Sequence, residues 1–261
     1  MPITMSTSVR RLSQSEFGEL AYQVMKCVFE IHNELGRLFD EQLYKRELAY
    51  RYPGVQREVP IDVWHGTFAK TYHLDVLVAD GGLFEFKTAE TLVPKHRAQT
   101  LNYLYLSDLS HGKLVNLRPE QVEHEFVNTT WTREERLRFE LVLDRWQDTV
   151  PGASRFREVF TALLRDWGTG LELPLYKEAL IHFLGGEAQV LAEVEVRMSD
   201  HTLGLQKLSL AAPRTAFFLT ALGKSAGSFE TDARRLLRHA DLDALLWADL
   251  RLATVTLTTL C

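Results

Sequence analysis

Tyr72-His73-Leu74-Asp75-Val76-Leu77-Val78-Ala79-Asp80-Gly81-Gly82-Leu83-Phe84-Glu85-Phe86-Lys87-Thr88-Ala89-Glu90 holds two short apolar runs that meet at a glycine turn. Leu74, Val76 and Val78 alternate on one run and Phe84 and Phe86 on the other, the period-two pattern of half-buried strands joined as a hairpin. Asp75, Glu85 and Lys87 fall at the opposite parity. Loop length decides whether they share a face, because a slip of one residue turns a whole strand over. A two-residue loop Asp80-Gly81 would put Asp75 and Glu85 on opposite faces. A three-residue loop Ala79-Asp80-Gly81, with Gly81 left-handed as in a type I turn plus bulge, pairs Val78 with Gly82 and sets Asp75 across from Glu85. The loop Asp80-Gly81-Gly82 keeps the same faces but opposes Asp75 to Lys87; the first of the two is taken here. Two carboxylates about 5 Å apart repel and need a cation or a proton between them. Lys87, a metal ion or protonation would each serve.

The rest of the chain is that of an ordinary globular protein: 261 residues, 46% hydrophobic and 25% charged, with a net charge of −5. The charge argues against a surface coated for general nucleic-acid binding but leaves room for a local basic groove. No apolar run reaches the roughly 18 residues that a bilayer span needs, and Met1 to Ser15 lacks the apolar core of a signal peptide, so a cytoplasmic protein is expected. Cys27 and Cys261 imply neither a disulfide framework nor a zinc site.

Residues 15 to 35 carry Phe17, Leu20, Ala21, Val24, Val28 and Ile31 at helical spacing, with Ser13 and Glu16 as a capping box. Gly36 ends that helix, and a second runs through Leu38-Phe39-Asp40-Glu41-Gln42-Leu43-Tyr44 to about Tyr52. Val55 to Val63 alternates as a strand before the hairpin. A helix follows Pro94, with Lys95, His96 and Arg97 in its first turn, where cations oppose the helix dipole and hint at an anion nearby. Gly112 to Leu117 and Gln121 to Val127 complete the unit as strands.

After Trp131 to Val150, expected to be a helical linker, a repeat of the first unit is expected. Gly36 and Tyr44 match Gly168 and Tyr176 at an offset of 132, and Phe84 to Ala89 meets Ala216 to Ala221 at the same offset. On that alignment Asp75 meets Lys207, Glu85 meets Phe217 and Lys87 meets Leu219, so the second copy has lost the charges. Its helix Glu230 to Ala240 carries Arg234, Arg235, Arg238 and His239 as a candidate basic surface. The organisation expected is residues 1–130 as an intact unit, 131–150 as the linker and 151–261 as a degenerate repeat, the two units packing as a pseudo-dimer within one chain.

The spacing Asp75-x9-Glu85-x-Lys87 on adjacent strands resembles the PD-(D/E)XK nuclease superfamily. With Leu38 to Tyr44 before it and His96-Arg97-Ala98-Gln99-Thr100-Leu101-Asn102-Tyr103-Leu104 after it, the segment from about 15 to 127 looks like that superfamily's GxxExxY family, with Leu38 in place of the leading glycine. The resemblance implies an α/β fold of restriction-endonuclease type, a mixed sheet of four or five strands flanked by helices, here duplicated. It implies Mg²⁺ or Mn²⁺ as cofactor and nucleic acid, DNA before RNA, as partner. Asp75 and Glu85, with the carbonyl of Phe86, are hard oxygen donors for such an ion, and Lys87 suits the orientation or deprotonation of a water and the charge developing on phosphorus. By resemblance Glu41 reaches the metal or its water and Gln99 helps to position the nucleophile or the phosphate. Lys95, His96 and Arg97 would contact phosphates, Tyr44 would pack or hydrogen-bond, and His73 shares the parity of Asp75. A metal-dependent nuclease is the function expected, and a nuclease fold kept only for binding or scaffolding is the alternative.

Overall fold

The computed structural model describes residues 2–223 and 225–261, and the chain divides into two compact units, Met1–Arg133 and Glu134–Cys261. Among the described residues no helix is long and apolar enough to cross a membrane.

The first unit runs β1 (Ile3–Met5), α1 (Gln14–Leu35), α2 (Glu41–Arg51), β2 (Val55–His65), β3 (Phe68–Val78), β4 (Gly82–Lys87), α3 (Pro94–Ser107), β5 (His111–Asn116) and β6 (Glu123–Asn128). These strands form one six-stranded sheet in chain order. Neighbours are antiparallel except β4 and β5, whose parallel pairing is reached by the α3 crossover. The Ser13–Glu16 capping box starts α1 as expected, and Phe17, Ala21, Val24, Val28 and Ile31 turn its apolar stripe inward. That stripe and Tyr44 and Leu48 of α2 pack on Val76, Val78, Phe84 and Phe86, so the even-numbered hairpin residues make the core on one face of the sheet. The three charges lie at the other parity, as the alternation requires. On their face α3 comes close over Gly112, where an added Cβ would lie 3.1 Å from Leu83 and 3.4 Å from Leu104 and Thr100.

The hairpin pairs Val78 with Gly82 across a three-residue loop. The expected role of Gly81 is corrected, however: Ala79 and Asp80 take the left-handed conformation, at φ 49° and 55°, and Gly81 does not. Gly81 N–H donates to the Val78 carbonyl at 3.1 Å, closing a turn whose two central residues are both left-handed, as in a type I′ turn. A side chain at Gly81 would collide with the Arg10 carbonyl and come within 2.8 Å of Leu12 Cγ. The glycine is required because the segment before α1 crosses the turn and Arg10 N–H bonds to the Asp80 carbonyl at 2.7 Å.

The second unit contains α4 (Arg133–Arg136), β7 (Glu140–Arg145), α5 (Ala153–Trp167), α6 (Leu173–Phe183), α7 (Glu187–Val190), β8 (Leu191–Met198), β9 (His201–Ala212), β10 (Thr215–Thr220), α8 (Ala226–His239), β11 (Ala244–Leu250) and β12 (Thr254–Leu260). The helical linker expected over 131–150 is contradicted: only Arg133–Arg136 is helical, and Glu140–Arg145 is a strand parallel to β12. Its Arg145 forks onto Glu230 of α8 at 2.7 and 2.8 Å, which ties down this edge strand. The helix α8 is less basic in effect than its sequence suggests, since Arg234 pairs with Glu230 and Arg235 with Asp232.

The sheet order of this unit is β8-β9-β10-β11-β12-β7. Strands β8 to β12 repeat the order and directions of β2 to β6, including the single parallel step at β10–β11. The helices repeat at the offset of 132: Tyr44 OH donates to the Gly36 carbonyl at 2.5 Å and Tyr176 OH to the Gly168 carbonyl at 2.6 Å, each across a left-handed glycine after the first helix. The strands repeat at 133, which corrects the alignment of the hairpins by one residue. Lys87 pairs with Asn116 and Thr220 with Asp249, while Asn116 accepts from Ala89 N–H and Asp249 from Leu222 N–H. The counterparts of Asp75, Glu85 and Lys87 are therefore Leu208, Phe218 and Thr220. Phe217 instead faces Phe156 of α5 at 5.3 Å, as Phe84 faces Phe17 of α1 at 6.0 Å.

The two readings of the turn differ in sign. Gly81→Ala should cost about 1–3 kcal/mol through collision with the Arg10–Leu12 segment, whereas Ala79→Gly should be neutral or add up to about 1 kcal/mol by relieving a left-handed alanine. Urea unfolding of the two variants reads both numbers.

Candidate functional site

The β3–β4 ladder runs from Val78–Gly82 to Val76–Phe84, and Asp75 and Glu85 are the next residue on each strand. There the strands part. Asp75 Oδ2 accepts from Phe86 N–H at 3.0 Å, so a side chain satisfies a backbone donor where the next rung would stand. On the far side of β3 the β2 register sets Glu58 beside Asp75, between the pairs Arg57–Val76 and Val59–Leu74. Glu58 is left-handed at φ 50°, an uncommon conformation for a residue with a side chain. Three acids thus lie in one row across β2, β3 and β4.

Helix α2 adds the fourth acid and a cation. Glu41 stands in its first turn, where a carboxylate suits the helix dipole, and Lys45 lies one turn on. The Lys45 ammonium is 3.1 Å from Glu41 Oε1, 2.5 Å from Glu58 Oε1 and 3.0 Å from Asp75 Oδ1, on a side chain only 1% exposed. Burial works against that charge, but the hydrogen bonds it donates to Glu58, Asp75 and Glu41, with the Asp75 charge, outweigh burial and hold the group above the usual lysine range. Lys87 Nζ donates to Glu85 Oε1 at 2.6 Å. Burial, reinforced by Asp75, raises the Glu85 carboxyl to about 8 in spite of Lys87, and burial followed by Asp75 raises Glu41. The second oxygen of Glu85, Oε2, is buried with no hydrogen-bond partner.

Asp75, Glu85, Lys87 and Glu41 therefore lie in one cluster, linked through the Lys45 and Lys87 ammonium groups. Lys87 is seated by its parallel partner Asn116, which is fully buried and holds the following loop through Ala89 N–H at 3.0 Å and the Ala89 carbonyl at 2.7 Å. The α3 residues are less concentrated. His96 Nδ1 accepts from Val93 N–H at 3.3 Å, closing the helix start, and burial together with the Lys87 and Lys95 charges lowers its pKa. Lys95 is exposed. Arg97 turns to β6, 3.2 Å from the Phe126 carbonyl and 3.3 Å from Glu125. Gln99 donates to Tyr103 OH at 3.3 Å on its own helix. Tyr44 bonds to the Gly36 carbonyl and His73 is exposed on β3.

Lys45 and Glu58 belong to this cluster and are absent from the sequence reading. Their signals were present: Lys45 stands four residues after Glu41 on one helical face, and Glu58 has the parity of Gln56 and Pro60, opposite the apolar Val55, Arg57, Val59 series in which only Arg57 is charged.

Whether the cluster suits a divalent ion turns on its donors. Glu85 Oε2 is a buried carboxylate oxygen with lone pairs to spare, and Asp75 and Glu41 are the hard oxygens that Mg²⁺ or Mn²⁺ takes. The donors fit in kind, but Asp75 and Glu41 are held by the Lys45 ammonium and Glu85 by Lys87. Among the described residues no three acids, histidines or cysteines are spaced to grip a metal as they stand.

Two measurements follow from these contacts. Removing the buried cation with Lys45→Met should destabilise the protein by about 2–4 kcal/mol, and adding Glu58→Gln should restore about 1 kcal/mol; a thermodynamic cycle in urea tests the coupling. The raised Glu85 carboxyl keeps its proton in the folded state while the unfolded chain loses it from its usual 4.5 upward. The folded state is therefore progressively disfavoured as pH climbs from about 4.5 to about 8. With a chelator present, unfolding curves across that window should show a slope that Glu85→Gln removes.

Comparison with known proteins bears on the first unit. Residues 18–129 match the family model described as the PD-(D/E)XK nuclease superfamily. No curated protein and no solved structure matches the chain significantly. The matched span covers α1 almost from its start through β6, with the whole acidic cluster inside it. Residues 18–129 are a PD-(D/E)XK nuclease superfamily domain with a mixed sheet of restriction-endonuclease type.

Proposed function

We propose that the first unit is a divalent-metal-dependent nuclease of the GxxExxY type, and that the second is a diverged duplicate of it. The observation that carries the reading is the fork itself: Asp75, Glu85 and Lys87 meet where β3 and β4 part, within 3.0 Å of a backbone donor or of one another. Asp75, Glu85 and the Phe86 carbonyl would hold Mg²⁺ or Mn²⁺, with Glu41 reaching it from α2. When bound, the ion supplies Lewis acidity at phosphorus and a water acidic enough to attack near neutral pH.

The protein's own side chains supply the rest. Burial works against the Lys87 charge, but Glu85, Asp75 and Glu41 together outweigh it and hold the group above its ordinary pKa, so it keeps its charge beside the position where negative charge grows on the phosphate. Glu85 carries a proton readily and can return one as charge redistributes. Lys95, His96 and Arg97 lie on the same helix start and would engage backbone phosphates, Arg97 by leaving Glu125, while Gln99 would orient the scissile group. DNA is favoured over RNA as the polymer. Asp75 must surrender its hold on Lys45 for a metal to bind, and Glu58 is placed to retain the ammonium.

A second reading has its own observation. Because the Lys45 ammonium already bridges Glu41, Glu58 and Asp75, and Lys87 holds Glu85, every acid of the cluster has a cation partner without metal, and the unit could serve as a non-catalytic nucleic-acid-binding module or scaffold. Single- and double-stranded DNA and RNA, offered with Mg²⁺ or Mn²⁺ beside Glu85→Ala and Lys87→Ala, separate the two. The nuclease reading expects cleavage that needs the ion and falls by about a thousandfold or more in both variants. Equal cleavage by wild type and variants, or none with either ion, removes it.

A further inference from the structure

In the second unit the same fork is open. The β9–β10 ladder ends at Leu210–Ala216, and beyond it lies a cleft of about 750 Å³, within the range of small-molecule sites. Leu173, Lys177 and Ile181 of α6 and Leu208, Ser209 and Phe218 of the fork line it. At the offsets fixed by the helices and strands, Leu173 stands where Glu41 does, Leu208 where Asp75 does and Phe218 where Glu85 does. Each acid of the first site has an apolar replacement here. The lysine one turn along the helix is kept: Lys177 is the counterpart of Lys45, but it is exposed, and Lys207 joins it on the rim. Gln206 and Glu178 also border the cleft.

The cleft is not merely a hole left by lost charges. Ser209 is 6% exposed, and its hydroxyl is buried with no hydrogen-bond partner. A buried hydroxyl left unsatisfied costs about 1–3 kcal/mol, so a ligand that offers it a polar edge gains what a purely apolar one cannot. The aromatic face of Phe218, aliphatic walls, one buried hydroxyl and two rim ammonium groups together describe a ligand with a flat body, a polar edge and an anionic tail. A fatty-acyl anion would meet the walls and the lysines but would face the Ser209 oxygen with hydrocarbon.

We propose that this cleft binds one unpaired nucleotide of a single-stranded nucleic acid, base inward against Phe218 and Ser209 and phosphate outward on Lys177 and Lys207. It deepens the nuclease reading by giving the second unit a substrate-holding role, yet it needs no cleavage by the first. Stacking of a base on an aromatic side chain contributes about 1–3 kcal/mol and tolerates any base.

The test uses the full chain carrying Glu85→Ala, in chelator, so that no cleavage can occur. Fluorescence anisotropy of a short labelled oligothymidylate should show binding that Lys177→Glu with Lys207→Glu weakens by about tenfold or more. Leu173→Glu, which returns a carboxylate to the cleft, should weaken it similarly. All three positions are at least partly exposed, and unchanged thermal melts confirm that the variants fold. An abasic oligomer of the same length should bind far less well than oligothymidylate. The proposal is overturned by equal binding of the abasic chain, by indifference to the three substitutions, or by displacement of the probe with laurate but not with thymidine monophosphate. Loss of binding in Lys95→Glu alone would place the polymer on the first unit and equally overturn it. The nuclease reading is judged separately, by cleavage in the presence of metal.

Discussion

The parting of β3 from β4 is the constraint on which the first unit depends. An antiparallel ladder that stops inside a sheet leaves backbone groups without partners, and buried donors of that kind are costly. Asp75 meets the need by accepting from Phe86 N–H, which commits a carboxylate to the fork. Burial, reinforced by the Asp75 charge, then keeps Glu85 at the facing position from ionising freely. Lys87 and Lys45 supply the compensating charge from opposite sides, one from the next residue of the same parity on β4 and the other from α2. Structural need and chemical potential thus have one origin: the fork requires an acceptor, and the acceptor gathers charges around it.

Much of this was legible in the chain. Period-two alternation placed Asp75, Glu85 and Lys87 on the face away from the core, and the same alternation required an odd loop, because only that keeps both apolar series inward. Local chemistry also located α1 through the Ser13–Glu16 capping box and the end of α1 at Gly36. What escaped was non-local. Gly81 looked like a bulge glycine because the sequence shows nothing of Arg10 and Leu12 passing over it. Lys45 and Glu58 carry no local sign of their partnership, since their meeting depends on α2, β2 and β3 arriving together. The strand β7 was hidden in a charge-rich stretch because an edge strand buries little of either face.

The slip in the repeat alignment has the same cause in reverse. Where Glu85 and Lys87 mark parity in β4, the segment Ala216-Phe217-Phe218-Leu219 is apolar at every position, so no residue announces which face it occupies. Only contacts resolve it: Phe217 meets Phe156, whereas Phe218 meets Phe229 of α8 at 6.1 Å. A strand buried on both faces carries little register information, which leaves its pairing partners to set it.

The two units therefore present one topology with two solutions to the same fork. In the first, acids fill it around the buried Lys45; in the second, Leu208 and Phe218 stand at those positions and Lys177 lies on the rim. The fold tolerates the exchange because the core on the other face, where the Tyr44 and Tyr176 hydroxyls hold equivalent carbonyls, is untouched by it. It follows that this strand order can be built without the charges of the first unit, although there Asp75 answers the Phe86 donor at the fork. Glu85 and Lys45 are buried, and Asp75, Glu41 and Lys87 half-buried, where leucine and phenylalanine suffice in the second unit, a desolvation cost that the shared strand order does not call for.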